Sequence, residues 1–219
     1  MGLEDEVKDK ESKGFIRKAG RLAWKLGMAA ATTALSTWAL PLIGASASLG
    51  VIVGAGFAGG GMIGNLAKGK SFYDSLDGAL TTYSAVNAII PHMVLLGDLT
   101  FPLIDNATLG GKLLRGLYAV TAYNAAFVGS YRGASHLVDN YLNPKGIGDR
   151  IKTDFWRDWA LIGAMLSPFY YMVANNITSL AMYHPSLGYN VAPTFAVGAV
   201  PVGFAHNYWF AKDPMNKKH

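Results

Sequence analysis

The sequence predicts an all-α fold, a polytopic integral membrane protein of six transmembrane helices with an amphipathic N-terminal helix. Three observations carry that expectation. Hydrophobic residues make up 51% of the 219 and charged residues 15%, against roughly 25% charged in ordinary soluble domains. The charges gather in short segments separated by long uncharged runs, where an aqueous domain would spread them over its surface. Finally, the lysines and arginines fall almost entirely in segments that six crossings would place on one side.

Residues 1–25 are polar and mixed in charge. Within them Phe15, Ala19, Leu22 and Ala23 recur near helical spacing, with Arg17, Lys18, Arg21 and Lys25 mostly between them, as in an interfacial amphipathic helix. Residues 26–211 then form the transmembrane domain. Leu26 to Ala67 is an uncharged run of 42 residues. One crossing takes about 20 residues, so the run reads as a helical hairpin turning near Gly44–Ser48. Ala45-Ser-Ala47 would suit a signal peptidase, but the polar region before it is longer and more acidic than a leader's.

Lys68-Gly-Lys70 closes this hairpin, and Gly78–Gly97 is a third uncharged run, with a kink expected at Pro91. Gly116–Tyr131 is a fourth and shorter run, which can cross if Lys112, Arg115 and Arg132 snorkel to the two interfaces. Residues 139–158 form a polar loop turning at Asn143-Pro-Lys-Gly146, and Phe155-Trp-Arg-Asp-Trp159 is an aromatic belt at the mouth of the next helix. Ala160–Tyr183 and Leu187–Ala211 supply the last two spans around His184-Pro185. Residues 212–219 are a short basic tail.

With both termini inside, residues 1–25, 68–77, 132–159 and 212–219 are cytoplasmic. They hold 17 of the 19 lysines and arginines, leaving Lys112 and Arg115 outside. That asymmetry fits the positive-inside rule. It also explains most of the net charge of +5 without a specific nucleic-acid partner. A weak internal repeat is visible in Ala34-Leu-Ser-Thr-Trp38 and Ala79-Leu-Thr-Thr-Tyr83.

The glycine-rich stretch Val51–Gly64 decides between two classes of protein. Gly54-x-Gly56-x-x-Gly59 after Val51-Ile-Val53 matches a dinucleotide fingerprint, with Asp74 twenty residues beyond Gly54. Such a site also needs a parallel sheet, and nothing downstream alternates strands with helices. As a helix, the same stretch places Gly50, Gly54, Gly61 and Gly64 along one stripe, while Gly56, Gly59 and Gly60 open other faces. Glycines so placed let neighbouring backbones approach closely, so Gly50, Gly54, Gly56, Gly60, Gly61 and Gly64 are the expected helix-packing residues.

No cysteine is present, which excludes disulfides, thiolate metal sites and cysteine nucleophiles. No acid or base lies at the centre of a predicted span, which argues against a carboxylate proton relay. Asp149, Asp154 and Asp158 lie among Arg150, Lys152 and Arg157 and read as a solvated, ion-paired face. The intramembrane polar groups are neutral, and Asn87, Asn124 and Asn175, with Tyr83, Tyr123 and His206, form a candidate polar pathway. Haem between His136 and His206, or a dinucleotide at the glycines, are minor alternatives. No catalytic, cofactor or metal site is assigned.

Two functions follow. One is a small channel or transporter-like protein with a neutral polar pathway. The other is a non-catalytic structural subunit of a larger membrane complex, a translocation, secretion or respiratory assembly. Lipid bilayer and either further copies of the chain or other membrane subunits are the expected partners. A pore requires Asn87, Asn124 and Asn175 to join in one path; a docking subunit requires those amides to be satisfied locally.

Overall fold

The computed structural model describes residues 3–176 and 198–210, and every described element is helical. The His184-Pro185 turn, Asn190 and the 212–219 tail lie outside the described residues, as does much of the expected sixth span.

Helix α1 runs unbroken from Leu3 to Leu42, about 60 Å at 1.5 Å per residue. The charged lead and the first apolar run therefore share one axis. This differs from a lead lying flat on the membrane, because nothing between Lys25 and Leu26 ends the helix: no glycine pair, proline or capping residue interrupts it there. A turn with Gly44 at φ +76° leads into α2, Leu49–Ala67. The turn falls where the sequence places it. Gly69 at φ +83° then reverses the chain into α3, Phe72–Thr100. Ser71 caps α3: its side chain accepts from the Asp74 amide at 3.0 Å and donates to the Asp74 carboxylate at 2.7 Å. The helix continues through Pro91.

A 3-10 turn, Phe101–Leu103, precedes α4, Leu109–Tyr118, which Thr108 caps through the Gly111 amide at 3.0 Å. The chain continues through a π-helical turn, Ala119–Tyr123, into α5, Asn124–Asp139. The short α6, Ile147–Lys152, and α7, Phe155–Asn176, follow. Residues 198–205 form α8, which ends in a second π turn, His206–Phe210.

Helix α3 is the hub, packed against α1, α2 and α5; α7 packs on α4, α5 and the first π turn, and α2 on the second. The core lies between them, with Val53, Phe57, Val86, Met93, Phe127 and Leu166 among its buried side chains.

Among the described residues, two helical segments, Leu49–Ala67 and Phe72–Leu103, are long and apolar enough to cross a membrane. The first contains the whole glycine-rich stretch. Val51-Ile-Val53 therefore lies in a helix, and the strand that a dinucleotide fingerprint requires ahead of its glycines is not there.

Side-chain carbons on several of the α2 glycines would meet neighbouring elements across two interfaces. A side-chain carbon on Gly54 would lie 2.7 Å from Asn87 Nδ2 on α3, and one on Gly64 would lie 2.7 Å from the Phe204 carbonyl on α8. On Gly60 it would collide with the Val200 carbonyl, and on Gly61 it would lie 2.8 Å from Asn207 Nδ2. Gly50 faces Ser36 and Asn87, and Gly56 is buried. Protein does not surround α2 on every side: Ala55, Ile63 and Leu66 are exposed and Gly59 faces open space.

Candidate functional site

Charged residues from the ends of several predicted spans, Lys25, Asp77, Arg132, Asp139 and Asp158 among them, converge at one end of the bundle. Lys25 on α1 is 1% exposed and lies 2.7 Å from both Asp77 of α3 and Asp139 of α5. Arg21, one turn earlier, reaches Asp77 at 3.0 Å. Asp139 also accepts from Thr81 at 2.8 Å. The same corner is stapled by backbone bonds, Trp24 Nε1 to the Val138 carbonyl at 2.8 Å and the Tyr73 hydroxyl to the Lys18 carbonyl at 2.6 Å. Buried charge is tolerated only when its partners replace water, and Lys25 has two carboxylates and the Asp77 carbonyl doing so.

A second cluster lies on α5, α7 and the turn after α8. Arg132 is 5% exposed and Asp158 2% exposed, and they form a direct ion pair; Arg132 Nε also donates to the Arg150 carbonyl at 3.0 Å. Arg157 reaches the other Asp158 oxygen at 3.0 Å, and His206 Nε2 lies 3.4 Å from it. Burial alone would raise the Asp158 carboxyl, but hydrogen bonding and attraction from His206, with Arg132 and Arg157, outweigh it and hold the group below the usual carboxylate range. Burial draws Arg132 below its ordinary value, against the pull of Asp158.

These positions correct two expectations. Asp158 is ion-paired as the sequence suggests, but it is buried and not on a solvated face. Arg132 and Arg115 do not snorkel. Arg115 is 4% exposed, donating Nε and Nη2 to the Ile104 carbonyl and Nη1 to the Ala174 carbonyl at 3.1 Å. The guanidinium thus joins the Ile104 carbonyl, just past the 3-10 turn, to the backbone of α7.

Between the two charge clusters lies a polar cavity of about 530 Å³, a vestibule that Asn65 and Asn207 also line. Below it, Thr82, Tyr131, His206 and Asn207 form its floor and the roof of a small cavity of about 20 Å³. Phe57 and Phe127, their ring centroids 5.9 Å apart, line that cavity and also a third one of about 60 Å³, which ends at Tyr123 and Tyr170. Vestibule and cavities thus follow one another in file.

The predicted pathway residues are distributed unevenly around this file. His206 stands at the neck and Tyr123 at the far end, where its hydroxyl donates to the Met93 carbonyl at 2.9 Å. Asn124 is occupied locally: Nδ2 donates to the Trp159 carbonyl at 2.8 Å, and Oδ1 accepts from Tyr170 at 3.3 Å. Asn87 lies against α1 and α2 instead, its Nδ2 donating to the Tyr83 carbonyl at 3.0 Å and its Oδ1 buried without a partner. Tyr83 bonds Thr33 at 3.0 Å, on the α1 side. Asn175 lies on the α7 backbone, with its side chain outside the described residues. Asn87 and Asn124 therefore border different interfaces. His136 turns to the Lys145 carbonyl at 2.9 Å while His206 faces Asp158, so the pair considered for haem looks in different directions.

The vestibule residues Lys25, Asp77, Asp139 and Arg132 were legible only as charges beside the predicted spans, and Asp158 only as part of an ion-paired face. The available signal was that charges of opposite sign recur at one predicted depth, on helices that must be neighbours. No protein-family model, curated protein or solved structure matches the chain.

Proposed function

We propose that the protein is an integral membrane channel or transporter, held closed in this conformation, whose mouth is the charged vestibule. The observation that carries this reading is the file itself: a polar chamber, a neck of Thr82, Tyr131, His206 and Asn207, then an apolar constriction at Phe57 and Phe127. From Asp77 to Val94 the file follows α3 for about 25 Å at 1.5 Å per residue, most of a hydrocarbon core of about 30 Å. Hydrophobic constrictions gate by excluding water and open when their walls separate.

In a six-span arrangement with both termini inside, the vestibule would be cytoplasmic, since its bases belong to the segments that the positive-inside rule assigns there. The path differs from the one the asparagines suggest, running past Thr82, Tyr131 and Asn207. A structural subunit is the second reading, and the local satisfaction of Asn124 favours it.

The test is solute flux through proteoliposomes. Phe57→Ala with Phe127→Ala removes both rings of the constriction and is expected to make the vesicles leaky to small polar solutes, while Trp38→Ala, on an exposed face of α1, leaves them tight. A folded, reconstituted double variant as tight as the parent would defeat the channel and transporter reading and favour the subunit.

A further inference from the structure

We infer that the vestibule binds a small zwitterion with a primary ammonium at one end and a carboxylate at the other, the chemical class of free amino acids. This rests on reading the vestibule as the mouth of the proposed path, and it names what that mouth accepts.

The argument begins with atoms that have no protein partner. Asn65 is 4% exposed and its Oδ1 is buried and unpaired; so is Oδ1 of Asp77, whose other oxygen takes Lys25 and Arg21. The two residues are neighbours across α2 and α3, for a side-chain carbon on Gly78 would lie 3.5 Å from Asn65 Nδ2. Both orphans are acceptors, and they belong to residues that line the same chamber. A buried acceptor left empty is costly, so this corner calls for a donor with several N–H bonds. An ammonium has three.

Charge decides what the rest of the ligand must be. On the α1–α3 wall, Arg21, Lys25 and Lys70 face Asp74, Asp77 and Asp139, which balances. A bare cation would meet Lys25 and Arg21 within that balance and gain little. On the α5–α7 wall, Arg132, Arg150 and Arg157 face only Asp154 and Asp158. Arg132 and Arg157 hold Asp158, whereas the Arg150 side chain is exposed and forms no ion pair among the described residues. One wall therefore offers spare acceptors and the opposite wall a spare guanidinium, the residue suited to a planar carboxylate. A zwitterion answers both and adds no net charge to a nearly neutral chamber. The volume of about 530 Å³ leaves room for such a molecule with some of its water.

The experiment is equilibrium dialysis of the full chain in detergent with radiolabelled L-alanine and, to span a longer separation, 6-aminohexanoate. Saturable binding of one of the two is expected, about tenfold or more tighter than methylammonium or acetate. Asn65→Leu and Arg150→Gln should each weaken it by about tenfold. Arg150 is exposed, so its variant keeps the test usable if Asn65→Leu does not fold. Failure of both amino acids to saturate, acetate binding as tightly as either, or undiminished binding in the two variants would overturn the inference. Binding without flux in proteoliposomes would instead overturn the transport reading and leave the site standing.

Discussion

Adjacent glycines on α2 meet opposite surroundings. A methyl on Gly60 would run into the Val200 carbonyl, and backbone cannot move aside cheaply; on Gly59 it would meet nothing within 4 Å. Gly60→Ala should lower the melting temperature in detergent by the equivalent of about 1–3 kcal/mol. Gly59→Ala should be neutral, or stabilising by up to about 1 kcal/mol through helix propensity. Equal effects at the two sites would contradict the packing of α2 on α8. The Arg132–Asp158 pair gives a second test. Arg132→Ala strands a buried carboxylate and should cost about 3–5 kcal/mol. Because the folded Asp158 carboxyl sits below its unfolded value, its contribution is present above the ordinary aspartate pKa of about 3.9. It is lost as pH falls through the lower folded value. The stability gap between the parent and Asp158→Asn should therefore be present at mildly acid pH and shrink below about pH 4. A gap unchanged across that range in a series of thermal melts would place Asp158 in solvent.

At the scale of elements, what the sequence made legible was where apolar chain lies. The uncharged runs Leu26–Ala67, Gly78–Gly97 and Gly116–Tyr131, the Gly44 and Lys68–Lys70 turns and the Phe155–Trp159 helix start coincide with described helices and turns; the runs Ala160–Tyr183 and Leu187–Ala211 lie partly outside the described residues. What stayed hidden was anything that depends on which helices are neighbours. A charge beside an apolar run marks a boundary whether it faces headgroups, as expected for Arg115 and Arg132, or a carbonyl or carboxylate on another helix, as found. The first π turn was equally unreadable, because Ala119–Tyr123 has ordinary helical composition and its distinctive contact, Trp159 Nε1 to the Thr121 carbonyl at 3.0 Å, comes from α7. The repeat also divides on this point: Tyr83 is held by Thr33, whereas its counterpart Trp38 is exposed. Arg115 ties α4 to α7 by forking between two carbonyls, a geometry that a point charge on a flexible stem does not reproduce. Arg115→Lys should thus lose about 1–3 kcal/mol in a denaturation experiment, and recovery of full stability by lysine would show that charge alone matters there.

At the scale of the whole molecule, the proposed channel is a closed file of cavities with a direction across the membrane. Composition and, among the described residues, two helical segments able to span a bilayer bear on the membrane reading, and the proposed topology puts the charged vestibule on the cytoplasmic side. The chain has no native cysteine, so single thiols report position cleanly. Gly110 and Gly148 both face open space and lie in the outer and cytoplasmic segments of the proposed topology. The most direct measurement is labelling of Gly110→Cys and Gly148→Cys in intact cells with a membrane-impermeant maleimide, before and after permeabilisation. The account predicts that Gly110→Cys reacts from outside and Gly148→Cys only once the membrane is opened. Labelling of both from the same side, or release of the protein from membranes by alkaline washing, would contradict it.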